Sequence, residues 1–151
     1  MTRFAGRILL LIAMLAVGGA LVSSVSLYHH YGTSQTSYCD FGDSFNCDIV
    51  NRSTYSTISG VPVALIGIVG YVALLVLATF YRSNPETPGR LAIASLAGLG
   101  FALYLTYIEG FVLAAWCILC LSSLALISCI AILSSLFWAH SVRRGTDNLS
   151  S

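Results

Sequence analysis

The 151-residue chain contains no lysine, and only 9% of its residues are charged. Soluble globular domains carry about 25% charged residues, so this chain has too few charges to cover a water-exposed surface. Hydrophobic residues make up 57% of the sequence instead. The net charge of +1, without any basic patch, gives no sign of nucleic-acid binding. The composition therefore predicts a membrane protein, and the length suits a single domain.

Four apolar stretches are long enough to cross a bilayer. A spanning helix needs about 20 mostly apolar residues, and helices satisfy their own backbone groups inside hydrocarbon. The expected spans are residues 8–28, 61–81, 91–108 and 116–139. A tight turn between Glu109 and Trp116 separates the last two spans. The expected fold is an all-α membrane protein, a bundle of four transmembrane helices.

The arginines predict the orientation of this bundle. Six of the seven arginines fall on one side, before the first span, beside the short loop 83–89 and after the last span. The positive-inside rule then places both termini in the cytoplasm and residues 29–60 outside. Arginines before an apolar run are also typical of a cleaved signal peptide. The run from Ile8 to Tyr28 exceeds the usual 7–15 residues of such a peptide, so we expect a retained span.

Four of the five cysteines meet on the outer side in this topology. Cys39 and Cys47 lie in the outer loop, and Cys117 and Cys120 form a C-x-x-C motif where the last span begins. The outer compartment is oxidising, so disulfides form and persist there. Cys129 lies deeper in the last span, where we expect it to fill space as a small apolar side chain.

The C-x-x-C motif lies at the start of a predicted helix. The positive end of the helix dipole lowers a thiol pKa there, whereas burial in an apolar wall raises it. We expect Cys117, nearer the rim, to be the more ionisable thiol, and Cys120 to meet a lipid-soluble reactant. The flexible, acidic segment between Cys39 and Cys47 is suited to carry electrons to this motif by thiol–disulfide exchange.

The cysteines and Glu109 also have simpler interpretations. Two permanent disulfides would staple the outer loop without any redox turnover. Four sulfurs are also enough for one zinc ion, although C-x7-C in an acidic loop is poor ligand spacing. Glu109 is either a proton-handling group beside the motif or an interfacial charge at a helix end.

The outer loop ends in CDIVNRSTYSTISG, residues 47–60. This stretch is expected to form a short amphipathic helix that lies on the bundle. The candidates for its apolar side are Ile49, Val50, Tyr55 and Ile58.

The ordered set of motifs resembles the vitamin K epoxide reductase family. The set comprises C-x7-C, Ser53 six residues later, GVPVA at residues 60–64 and WCILC at residues 116–120. The likeness covers about residues 8–140. It is closest to the bacterial members, which oxidise disulfide-forming proteins.

The resemblance implies a four-helix bundle that encloses a quinone, of the ubiquinone or menaquinone type, near the outer face. Cys120 looks like the cysteine that reduces the quinone, with Cys117 as its disulfide partner. Cys47 resembles the loop cysteine that exchanges with Cys117, and Cys39 the one that meets an outside thioredoxin-fold protein. Ser53 falls at a family position whose hydroxyl bonds a quinone carbonyl.

The chain departs from the vertebrate members at two positions. They carry an asparagine early in the second span and a tyrosine four residues after C-x-x-C. Here the first region reads VPVALIG, and the second position is Leu124, which weakens the case for epoxide reduction. Only a dozen residues follow Ala139, so the thioredoxin-fold partner is expected to be a separate protein.

The expected function is a quinone-dependent thiol oxidoreductase of the cell membrane that drives disulfide formation outside the cytoplasm. A quinone epoxide reductase is one alternative. A structural membrane protein with static disulfides is the other.

Overall fold

A computed structural model describes residues 3–32, 47–80 and 83–147. Within these three ranges, five α-helices follow one another: α1 (Arg3–Tyr31), α2 (Cys47–Asn51), α3 (Val63–Thr79), α4 (Thr87–Ile108) and α5 (Ile118–Asp147). A 3-10 turn (Thr54–Ser56) and two short strands, β1 (Thr57–Ile58) and β2 (Val61–Pro62), connect α2 to α3. A π-helical turn (Glu109–Leu113) follows α4.

The prediction of an all-α membrane protein is confirmed. Within the described residues, three helices are long and apolar enough to cross a membrane: Phe4–Tyr31, Thr87–Leu113 and Ile118–Thr146. Helix α3 is apolar but shorter, with 17 residues. Leu10, Met14 and Leu21 point outward from one face of α1 and are largely exposed, as lipid-facing side chains are.

The long helices pack into one bundle around a continuous apolar core. Helix α1 packs against α3 and α5, and α4 packs along α5. Ile12, Leu91 and Ile130 are completely buried at the centre. Because lipid is as apolar as the core, close packing and polar contacts between helices hold such a bundle together.

Polar contacts also join the helices inside the bundle. The hydroxyls of Ser95 in α4 and Ser134 in α5 lie 2.6 Å apart, and both residues are fully buried. The Tyr71 hydroxyl of α3 donates to the Ser123 carbonyl of α5 at 2.9 Å. The Tyr71 ring passes so close to Gly19 of α1 that a Cβ there would lie 2.2 Å from it.

The segment 47–60 differs from the single amphipathic helix expected from the sequence. Helix α2 has only five residues, and the chain is extended at Ser53 before the 3-10 turn. Strands β1 and β2 then pair antiparallel across Ser59 and Gly60, which both adopt positive φ, as in a type I′ hairpin turn. Of the four apolar candidates only Val50 is buried. The hairpin and the turn compete with the helix because Ser, Thr and Gly favour them.

Candidate functional site

The turn between α4 and α5 brings Glu109 under the C-x-x-C motif. The chain reverses through the π-helical turn and through Ala114, which adopts the left-handed conformation at φ 49°. The Ala115 amide donates to the Glu109 carbonyl at 3.2 Å. The Cys117 amide donates to Glu109 Oε2, also at 3.2 Å. The expected turn between Glu109 and Trp116 is thus present, and it is closed by this glutamate.

Glu109 is a buried acid, with 2% of its surface exposed. Its carboxylate is hydrogen-bonded to the Cys120 thiol as well as to the Cys117 amide. Ionisable side chains buried at membrane depth are costly and usually functional. Glu109 thus lies at the end of α4, as one interpretation expected, but it is enclosed by the protein.

The two cysteines of the motif have different surroundings. Helix α5 begins at Ile118, so Cys117 directly precedes it, and the Cys117 carbonyl accepts the Leu121 amide at 3.0 Å. Cys117 is completely buried, whereas Cys120 is half-buried in the first turn. Both are free thiols. The motif is therefore reduced and lies where α5 starts.

The pKa of the Cys117 thiol is lowered, as expected, although Cys117 is the more deeply buried of the two cysteines and its place at the helix start is not the main cause. A hydrogen bond from the Cys120 thiol lowers the pKa of Cys117 below its ordinary value, and nearby backbone amides act in the same direction. Burial and the negative charge of Glu109 oppose this effect without cancelling it. A charged sulfur gains from such donors because they stabilise thiolate over thiol.

Helix α2 packs against the C-x-x-C motif and brings a third cysteine, Cys47, close to it. Cys47 is completely buried and belongs to the same apolar cluster as Val50, Ala115 and Cys117, with Cys120 packed at its edge. Cys47 is engaged in a disulfide. The structure thus brings Cys47, Cys117 and Cys120 together. Cys39 lies outside the described residues.

A cavity of about 360 Å³ opens beside Cys120. It lies between α1, α3, α4 and α5 and is covered by α2 and the 3-10 turn. Its lining is mostly apolar. Cys120 and Glu109 form part of its wall, and Asn51, Ser53, Tyr71 and Ser123 add polar atoms. An apolar cavity of this size with a few polar groups is typical of a small-molecule site.

Ser53, the serine expected to bind a quinone carbonyl, lines this cavity. Its hydroxyl donates to the Val50 carbonyl at 2.8 Å and so closes the end of α2. The hydroxyl proton of Ser53 therefore already takes part in a hydrogen bond within the turn. The role of Ser53 in ligand binding stays a prediction.

Sequence reasoning missed Asn51, the last residue of α2. Asn51 is 7% exposed, and its Oδ1 accepts a hydrogen bond from the Ser26 hydroxyl at 2.8 Å. Nδ1 of His30 is hydrogen-bonded to the Asn51 carbonyl oxygen. The only signal in the sequence is an asparagine between Cys47 and Ser53, and no motif marks it.

Cys129 and the zinc interpretation are also addressed by the structure. Cys129 is a free, exposed cysteine on the outside of α5, so the prediction that it fills space in the bundle is wrong. Its position on α5 turns it away from the core formed by Ile127 and Ile130. Among residues 3–32, 47–80 and 83–147, no three His, Cys, Asp or Glu side chains are grouped to hold a metal ion.

The chain was compared with models of known protein families. The model of the vitamin K epoxide reductase family matches residues 10–135. This range includes the cavity, the C-x-x-C motif and helix α2 with Cys47.

Proposed function

Because the chain belongs to the vitamin K epoxide reductase family, we propose that it is a quinone-dependent enzyme that reoxidises a thioredoxin-fold protein outside the cytoplasm. The family is one of quinone-linked thiol oxidoreductases in the membrane. One observation carries the proposal: disulfide-bonded Cys47 packs against a reduced C-x-x-C motif, whose Cys120 lines an apolar cavity.

The proposed topology has four spans, with α3 as the second. Helix α3 is shorter than the other three, but its 17 residues include no charge. Both termini then lie in the cytoplasm, as the distribution of arginines favours. The cysteines and the cavity face the exterior or periplasm.

The first stage of the proposed reaction takes up electrons from a separate thioredoxin-fold protein. A thiolate of the reduced partner attacks a Cys39–Cys47 disulfide at Cys39, forms a mixed disulfide and releases the Cys47 thiolate. The second thiol of the partner then attacks the mixed disulfide as a thiolate. The partner leaves oxidised, and Cys39 leaves as a thiolate.

The second stage passes the electrons to the C-x-x-C motif. The Cys47 thiolate attacks a Cys117–Cys120 disulfide at Cys117 and releases the Cys120 thiolate. Cys39 then attacks Cys47, which restores the loop disulfide and releases Cys117. The combination of disulfide-bonded Cys47 with free thiols at Cys117 and Cys120 corresponds to the product of this stage.

The cavity fits a quinone ring in volume and polarity, with Cys120 on its wall and Ser53 at its cover. A quinone bound there accepts two electrons and two protons from the dithiol, which becomes the Cys117–Cys120 disulfide again. Glu109 accepts a hydrogen bond from the Cys120 thiol, so its carboxylate is placed to take the Cys120 proton when the dithiol is oxidised. While Cys120 keeps its proton, the thiol can instead donate to Cys117 and stabilise the Cys117 thiolate.

The proposal is tested by trapping free thiols with an alkylating agent that adds mass, in membranes that contain the protein and a reduced thioredoxin-fold partner. With quinone, Cys117 and Cys120 become protected as a disulfide, and without it they are labelled. Cys120→Ser abolishes quinone reduction. Cys129→Ser, a matched control on the outer face of α5, keeps full activity.

Two results would contradict the proposal. Full activity of Cys120→Ser would show that Cys120 is not the cysteine that reduces the quinone. Cysteines that remain oxidised whatever the quinone supply indicate a structural protein with static disulfides. Product analysis with a quinone epoxide tests the remaining alternative, which the leucine at position 124 disfavours.

A further inference from the structure

The amide of Asn51 holds an unused hydrogen-bond donor at the cavity. Asn51 lines the cavity and is 7% exposed, and its Nδ2 has no hydrogen-bond partner among the described residues. A buried donor without a partner is destabilising, and native proteins leave few of them. Such a group therefore indicates a ligand that supplies the acceptor.

Two contacts hold this amide in one orientation. The Ser26 hydroxyl of α1 donates to Asn51 Oδ1 at 2.8 Å, so the acceptor side of the amide is occupied. The Asn51 backbone carbonyl is hydrogen-bonded to Nδ1 of His30, also on α1. Because α1 fixes both the backbone and Oδ1, Nδ2 is presented without a large loss of conformational freedom when it binds an acceptor.

Neighbouring hydroxyls at the cavity already donate to the protein. Ser53 donates to the Val50 carbonyl, Ser56 donates to the Ser53 carbonyl, and Tyr71 donates to the Ser123 carbonyl. A ligand oxygen that needs a donor gains nothing from these groups unless it breaks an existing bond. Asn51 Nδ2 has no bond to break.

We propose that Asn51 Nδ2 donates a hydrogen bond to a ring carbonyl of the quinone and orients the ring in the cavity. This inference rests on the proposed function, and it makes Asn51 a positioning and specificity residue. A quinone carbonyl is an acceptor only, which suits a lone N–H donor in an apolar cavity. A site built around such a bond discriminates against a ring that lacks the carbonyl.

The test compares two ligands of the same shape. Duroquinone has two ring carbonyls and no free ring position for thiol addition, and durene is the same tetramethyl ring without carbonyls. Binding to the full-length, oxidised protein in detergent is measured by tryptophan fluorescence, so that no turnover occurs. Asn51→Leu removes the donor, and Asn51→Asp keeps the Ser26 acceptor but replaces Nδ2 by oxygen. Asn84→Asp in the exposed 83–86 loop is the matched control.

We expect both Asn51 variants to weaken duroquinone binding about tenfold, the loss of one hydrogen bond. Durene binding and the Asn84→Asp protein should remain at the wild-type level. Equal weakening for both ligands indicates a merely structural role and overturns the inference, as does unchanged duroquinone binding. If the wild-type protein binds duroquinone in this Asn51-dependent way but never reduces it, the proposed function fails and the carbonyl contact stands.

Discussion

The Glu109 carboxylate and the Cys117 amide are joined by a 3.2 Å hydrogen bond that spans eight residues of the chain. This bond closes the turn between α4 and α5 and places a buried acid beside both thiols of the motif. The same side chain therefore shapes the site and takes part in its proton chemistry. A substitution that removes the charge of Glu109 but keeps its hydrogen-bond acceptor separates the structural role from the role in proton transfer.

We expect Glu109→Gln to slow the quinone-dependent oxidation of the C-x-x-C motif about 10²- to 10⁴-fold, the usual loss when a general acid–base group is removed. The amide oxygen of glutamine still accepts from Cys117, so the fold should remain intact. Stopped-flow mixing of reduced protein with quinone, followed by acid quenching and thiol labelling, measures the rate. Glu86→Gln is the control, because the Glu86 carboxylate pairs with Arg90 on the exposed surface. Wild-type rates for Glu109→Gln would exclude a proton-transfer role.

The pH dependence of alkylation should distinguish Cys117 from an ordinary cysteine. The pKa of Cys117 is lowered by the Cys120 thiol, so the Cys117 thiolate persists to lower pH than that of an ordinary cysteine. In the reduced protein, the midpoint of the pH profile for labelling Cys117 should therefore lie below that of free cysteine in solution. Mass spectrometry of the labelled Cys117 peptide measures the profile, and free cysteine is labelled under the same conditions as the reference.

Removal of the Cys120 donor should raise the pKa of Cys117. Cys120→Ala deletes the hydrogen bond that lowers the pKa of Cys117, while burial and Glu109 continue to raise it. The midpoint for Cys117 should therefore move to higher pH. A midpoint that stays in place would show that the helix start alone lowers this pKa.

Gly19 should tolerate no larger residue. A Cβ at this position would lie 2.2 Å from the Tyr71 ring, and that ring holds its hydroxyl on the Ser123 carbonyl at the cavity wall. We expect Gly19→Ala to lower the free energy of unfolding by about 1–3 kcal/mol, the usual cost of overpacking. Thermal unfolding in detergent measures the effect. Gly100→Ala is the matched control, because its Cβ would meet nothing within 4 Å, and it should be neutral or stabilising.

Ser53→Ala should destabilise helix α2 and the 3-10 turn, which together cover the cavity. Its hydroxyl closes the end of α2 on the Val50 carbonyl, and loss of this bond should cost about 1 kcal/mol. Limited proteolysis of the 47–60 segment should become faster. Thr57→Ala is a suitable control, because the Thr57 hydroxyl is exposed and its bond to the Thr54 carbonyl is long, at 3.5 Å. Unchanged proteolysis of Ser53→Ala would show that this bond does not hold the cover.

The helix starts and ends were only partly predictable. The apolar runs predicted α4 and its following turn, but α5 begins two residues later than the expected Trp116. The delay follows from Glu109, whose backbone and side-chain oxygens bind the amides of Ala115 and Cys117. Hydropathy carries no information on such bonds.

The sequence by itself determined a membrane-embedded helical protein with a C-x-x-C motif at a helix start, because hydropathy and helix-end chemistry act over a few neighbouring residues. Tertiary structure alone decided that Glu109 is buried against both thiols and that Cys129 faces outward. It also decided that Asn51 meets Ser26, a residue 25 positions earlier. These outcomes depend on how the helices pack against one another, and the spacing of residues within one helix does not encode that packing.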